Sequence, residues 1–283
     1  MRCAAAIWVG SALALGAGPG RASPVSDAPI RVVYDRPGRP ESLAIYHEVR
    51  KRRVLEGLRE IAAGMRLPRS LTLRFSACRG EADAWYEPTN RTVTVCYGYV
   101  REVEDRLPWD AVRAREMGPG RRRGMRHDAV FGLIAQAFLH ETGHALFDLL
   151  DVPVLGREED AADQFAALVL LELPPAQARH VVDGITHLFR SLAADEPAQA
   201  VLLADDHSLA LQRLYNLLCL AYGADRRAFG YLVASGALPR PRAEFCEAEY
   251  DLALSSLHAL FGRHLRGGRL ERARVRRAFR GMF

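Results

Sequence analysis

Phe138-Leu139-His140-Glu141-Thr142-Gly143-His144-Ala145-Leu146-Phe147 is an apolar run broken by two histidines, with a glutamate directly after the first. If the run is helical, a step of roughly 100° per residue leaves His140 and His144 about 40° apart in azimuth and about 6 Å apart along the axis. Both imidazoles then leave one face. At that spacing two ring nitrogens can ligate one tetrahedral zinc ion, while Glu141 reaches a water on it as general base. Outward from the motif, Phe131, Leu133, Ile134, Phe138, Leu139, Leu146 and Phe147 make the helix apolar, and ionisable residues inside such a helix demand a partner.

A catalytic zinc site needs a third protein ligand and an open fourth position. Downstream, Arg157-Glu158-Glu159-Asp160-Ala161-Ala162-Asp163-Gln164-Phe165 opens a second apolar helix whose first turn is acidic, as the helix dipole favours. Glu159 and Asp163 are four apart and share a face, so Glu159 is the candidate ligand and Asp163 the acceptor that orients a histidine N–H. Glu158 and Asp160 read as nothing more than the acidic turn.

These residues carry a family resemblance. His140-Glu141-x-x-His144 followed by Glu159-x-x-Ala162-Asp163-x-Phe165-Ala166 resembles the gluzincin metallopeptidases, in which thermolysin-like enzymes have His-Glu-x-x-His and then Glu-x-x-x-Asp. The 14-residue spacer is similar to that of the ImmA/IrrE-type metallopeptidases. With Asp206-His207-Ser208-Leu209, Gln212-Arg213-x-Tyr215-Asn216-Leu217-Leu218-Cys219 and Cys78…Cys96, the chain most resembles a bacterial family of unknown function taken for metallopeptidases. The resemblance implies a zinc-dependent peptidase that hydrolyses a peptide or protein substrate. It also implies an oxyanion donor from the lobe after the glutamate helix, for which His207 is the first choice and Tyr215 the second. A metzincin is excluded, because Phe147 and Leu150 stand where that clan has its glycine and third ligand.

Upstream, 30–34 reads as a possible first strand, 41–65 as one helix, and 71–75 as a strand with one buried face. Residues 84–86 and 91–97 form a hairpin about Glu87-Pro88-Thr89-Asn90. The expected fold is α+β and zincin-like, with a small N-terminal sheet, the active-site helix and then a mainly helical C-terminal lobe. Residues 113–126, rich in glycine and arginine without an apolar period, read as a mobile insertion or a lid, with Asp128 capping the metal helix. Helices are expected over 175–194, 206–222, 225–235 and 241–263. His180 and His187 are assigned surface or packing roles.

At the N-terminus, Arg2, the apolar run 4–17 and Gly20-Arg21-Ala22 have the layout of a secretory signal peptide, with an uncleaved anchor as the alternative. Domain boundaries follow: a leader over 1–22, an extended lead over 23–40, one peptidase domain over 41–265 with lobes 41–150 and 151–265, and a basic tail over 266–283. Without the leader the cysteines are Cys78, Cys96, Cys219 and Cys246, an even set that in an exported protein suggests two disulfides. Four cysteines allow three connectivities, of which local geometry favours Cys78–Cys96 across a hairpin and Cys219–Cys246 between helices. No two lie at Cys-x-x-Cys spacing, so thiolates are kept out of the metal.

The 283 residues are 49% hydrophobic and 26% charged, enough for a substantial core. Lys51 is the single lysine, and the net charge of +5 comes from an arginine-rich composition that gives no reason to invoke nucleic acid. The run Arg50-Lys51-Arg52-Arg53 reads as a solvated face, and the tail, with its seven arginines, as packed on the body or solvated rather than lying at a membrane surface. Two rival readings stand beside the peptidase. One is a catalytically silent, zinc-stabilised envelope protein on the same scaffold; the other is an exported helical protein whose histidines merely pack.

Overall fold

The computed structural model describes residues 28–107, 119–196, 204–280 and 282–283. The expected leader falls outside them, as do residues 113–118 of the expected insertion. Four strands form one mixed sheet in the order β1-β2-β4-β3: β1 (Ile30–Tyr34), β2 (Leu71–Ser76), β3 (Ala84–Glu87) and β4 (Thr92–Cys96). β1, β2 and β4 run parallel, and β3 returns antiparallel to β4 as an edge. The possible first strand read at 30–34, inside the segment set apart as a lead, is thus formed.

Alternation decides which face of the sheet is core. Leu71, Leu73 and Phe75 of β2 are fully buried while Thr72, Arg74 and Ser76 are half-exposed. Each such buried side chain stabilises the fold by roughly 1.5–3 kcal/mol. Phe75 then meets Phe138 edge-on, ring centroids 4.9 Å apart, and stacks on Tyr97 at 5.6 Å. That contact seats the motif helix on the sheet.

Before β2, the helix expected over 41–65 is two, α1 (Pro40–Lys51) and α2 (Val54–Ala62). Arg53 between them is left-handed, φ 53°, a conformation costing a non-glycine residue about 1–2 kcal/mol. The sequence hides the break because apolar spacing continues through it. Tyr97, expected to end a strand, starts α3 (Tyr97–Arg106), where its hydroxyl donates to the Asp35 carbonyl at 2.8 Å.

The motif helix, α4, spans Pro119–Leu149. The insertion expected to be irregular is thus helical from Pro119 onward, and Asp128 sits inside the helix rather than capping it. It binds His180 Nδ1 at 2.6 Å, tying α4 to α6 (Pro175–Asp195). α5 (Glu158–Leu170) crosses α4 where Gly143 has no side chain. A Cβ there would lie 3.1 Å from Ala162 Cα, so glycine lets the two helices approach closely.

The helical body continues with α7 (Ala210–Ala224), α8 (Arg226–Ala234), a short turn α9 (Arg240–Ala243) and α10 (Cys246–Phe261). α7 starts later than expected because 204–209 is irregular; Gln212 then accepts the Leu209 N–H at 3.1 Å, a half capping box. Asp225 caps α8 through the Ala228 N–H at 2.8 Å.

Both expected disulfides are present. Cys219–Cys246 joins α7 to α10, and Cys78–Cys96 links the ends of the parallel neighbours β2 and β4 rather than crossing the β3–β4 hairpin. Within the expected basic tail, α11 (Arg272–Phe279) packs Val275, Ala278 and Phe279 inward, and Arg276 Nε reaches the Glu172 carbonyl at 2.9 Å.

Candidate metal centre

Two helices bring the histidines and the acid together. His140 and His144 leave one face of α4, as their spacing requires, with Nε2 atoms 3.3 Å apart. Glu159, in the first turn of α5, lies with Oε2 3.0 Å from His140 Nε2 and Oε1 3.4 Å from His144 Nε2. A metal with bonds of about 2.0–2.1 Å at the centre of a regular tetrahedron has donors roughly 3.3–3.4 Å apart. The donor set is therefore the right chemistry at the right separation for a divalent ion, and these residues fit one.

Both imidazoles are held from behind. His140 is buried, and its Nδ1–H donates to Asp163 Oδ1 at 2.8 Å. Asp163 in turn receives a two-pronged clamp from Arg213 of α7, Nε to Oδ2 at 2.7 Å and Nη2 to Oδ1 at 2.8 Å. His144 Nδ1 lies 2.7 Å from Glu158 Oε1. Such outer partners fix the tautomer that leaves Nε2 free to bind a metal.

Electrostatics follow from this crowding. Burial works to raise the Glu159 carboxyl, but hydrogen bonds from His140, His144 and His207 hold it far below the usual range. Burial likewise opposes charge on His144, yet Glu159 and Glu158 push it up to about 9. Asp163 is depressed to about 2, burial being outweighed by Arg213 and His140. Glu141 is the contrast. It contacts the group more loosely, 4.0 Å from His140 Nε2, and burial raises its pKa above the ordinary carboxylate value. A carboxylate made more basic beside a metal cluster is suited to taking a proton.

The edge strand borders Glu141. The Tyr86 backbone N–H of β3 pulls the Glu141 pKa down against the effect of burial, and the Tyr86 hydroxyl donates to Asp148 at 2.6 Å, pinning β3 to α4.

His207 joins the cluster from the segment before α7. Its Nε2 is 2.8 Å from Glu159 Oε2, its ring stacks on His140 at 6.2 Å, and its donor atom lies within 4.8 Å of those of His140 and Glu159. Asp206 Oδ1 faces its other nitrogen at 3.1 Å, while Ser208 Oγ donates to Asp160 at 2.8 Å and ties the segment to α5. Attached to Glu159, His207 is pushed up to about 9.

Tyr215, the second choice as oxyanion donor, is set apart. It lies two residues from Arg213 on α7, roughly 200° round the helix. There it is exposed and borders a surface hollow with Asp160, Ser208, Pro239 and Arg242.

Sequence reasoning missed two partners. Glu158 was read as a plain acidic turn, yet it holds His144; Arg213 stood in a quoted motif without a role, yet it neutralises Asp163. An acid preceding a ligand carries no periodic signal, and an arginine fifty residues away carries none either.

A family model described as "Putative metallopeptidase" matches residues 34–261. No curated protein and no solved structure matches the chain.

Proposed function

The chain belongs to this metallopeptidase family, and on that premise we propose that it is a zinc-dependent peptidase of the gluzincin kind, with His140, His144 and Glu159 as metal ligands. One observation carries the reading: the two imidazole Nε2 atoms lie 3.3 Å apart, and each has one oxygen of the Glu159 carboxylate at 3.0 or 3.4 Å, with Glu141 beside them. Zinc is favoured by the two-imidazole, one-carboxylate set; when bound it supplies Lewis acidity and lowers the pKa of water to roughly 7.

The chain's own residues do the rest. Glu141 takes the proton as water attacks the peptide carbonyl and returns it to the departing amine. Its raised pKa favours both halves of that exchange. Asp163, backed by Arg213, keeps His140 in one orientation, and Glu158 does the same for His144. His207 donates from Nε2 to the oxygen on which negative charge builds, held toward the site by Asp206. An exported location accords with two disulfides and with the fact that no helix among the described residues is long and apolar enough to cross a membrane; a cleaved N-terminal leader is part of the same proposal.

Glu141→Gln tests the assignment. Metal content should stay that of the parent while hydrolysis of a fluorogenic peptide library falls by about 10²–10⁴-fold; unchanged turnover would contradict it. The silent, zinc-stabilised alternative gains from one fact, that His207 lies close enough to Glu159 to close the site as a fourth ligand. His207→Ala separates the two. An oxyanion donor can be lost with metal affinity intact, whereas loss of a ligand weakens metal binding and alters the visible spectrum of the cobalt-substituted protein.

A further inference from the structure

Away from the metal centre, α2, α11 and the start of the described chain surround an open cleft of about 660 Å³. Arg52, Arg53, Arg59, Arg266 and Arg277 line it, against Glu56 and Glu60 as the acids. Glu56 accepts the Tyr34 hydroxyl at 2.8 Å, and Glu60 pairs with Arg277 at 2.5 Å. Arg53 and Arg59 are exposed, and among the described residues neither side chain has a hydrogen bond or an ion pair. Arg50 and Lys51 on α1 and Arg276 and Arg280 at the end of the chain add positive charge on the flanking segments. Arg52 pairs with Glu48 at 2.5 Å, so the uncompensated charge in the cleft is that of Arg53 and Arg59, and a concave, positively lined surface concentrates anions.

Two further facts select the anion. No aromatic residue lines the cleft, so the stacking platforms that hold nucleic-acid bases are absent among the described residues. The two disulfides accord with an oxidising compartment, where a lipid surface is an extended polyanion within reach.

We propose that the arginine-lined cleft between α2 and α11 is a docking surface for anionic phospholipid headgroups, which orients the body against a membrane. Guanidinium groups bind phosphate through paired N–H donors, and basic residues close to an anionic bilayer act additively. The surface is independent of the metal centre and does not rest on the peptidase reading.

The test uses the full chain and vesicles of phosphatidylcholine with or without phosphatidylglycerol, read by co-sedimentation at low and high salt. The expected result is partition that requires phosphatidylglycerol, weakens with salt, and drops at least tenfold in the Arg53→Glu/Arg59→Glu double variant, since each basic residue contributes roughly fivefold. Arg240→Glu, on α9, should leave partition unchanged, and thermal melts should show both variants folded. Equal binding to both vesicle types, or indifference to the double reversal, would overturn the proposal. So would tighter binding of a single-stranded oligonucleotide with the same dependence on Arg53 and Arg59. Glu141→Gln should partition like the parent, so failure of the peptidase reading cannot be mistaken for failure of this one.

Discussion

The metal centre and the arginine cleft gather charge in opposite ways. His140, His144, Glu159 and Asp163 are each largely out of water, and each has a partner of opposite sign within about 3.4 Å. Arg53 and Arg59 stay wet and, among the described residues, go unpaired. A buried charge costs several kcal/mol unless a neighbour compensates it, so the first cluster is constrained to one arrangement; the second meets no such constraint and stays available to an outside partner. Substitutions should therefore be severe in one region and mild in the other.

The largest effect is expected at the shared carboxylate. Glu159→Gln keeps the shape but removes the charge that His140, His144 and His207 all contact. Metal affinity, measured by competition with a chromophoric chelator, should fall by more than about 100-fold, beyond what the loss of an outer partner costs.

Next is Asp163. Asp163→Asn should lower metal affinity by roughly 10–100-fold and, because it leaves the largely buried Arg213 without its counter-ion, destabilise the fold by about 3–5 kcal/mol in urea melts. Asp163→Asn with Arg213→Met should recover most of the stability and none of the affinity. If the double variant stays as unstable as the single one, the two residues are not coupled as their geometry indicates.

A pH effect of intermediate size follows from His144 and His207. Both sit at about 9, above their ordinary value of 6.5, so in chelator-stripped protein their stabilising contribution is full below pH 6.5 and disappears as pH rises through 9. Metal-loaded protein, whose ligating imidazoles carry no proton on Nε2, should hold its melting temperature over the same interval. Parallel pH profiles for the two forms would break the assignment. The smallest effect belongs to the cleft, where Arg53→Glu/Arg59→Glu should change stability by no more than about 0.5 kcal/mol and leave metal affinity untouched.

Much of this comparison was legible early. The four-residue spacings of His140 with His144 and of Glu159 with Asp163 fix which side chains share a helix face, because azimuth depends only on local geometry. Alternation gave β2, and an even set of four cysteines gave two bridges. The errors fell where local signals conflict or vanish. Apolar spacing ran unbroken through Arg53, glycine and arginine after Pro119 looked irregular within a continuous helix, and Tyr97 fits a strand as readily as the helix it opens.

By itself, then, the chain's order of residues determined the two half-sites, each written on a single helix, and with them the reaction class proposed here. Tertiary structure alone decided that the half-sites meet. Gly143 lets α5 come against α4, the turn before α7 brings in His207, and Arg213 reaches Asp163 while Tyr215 is carried round to solvent. The physical reason is that position around one helix is a matter of a few neighbouring residues, whereas the approach of two helices depends on the packing of the whole body between them.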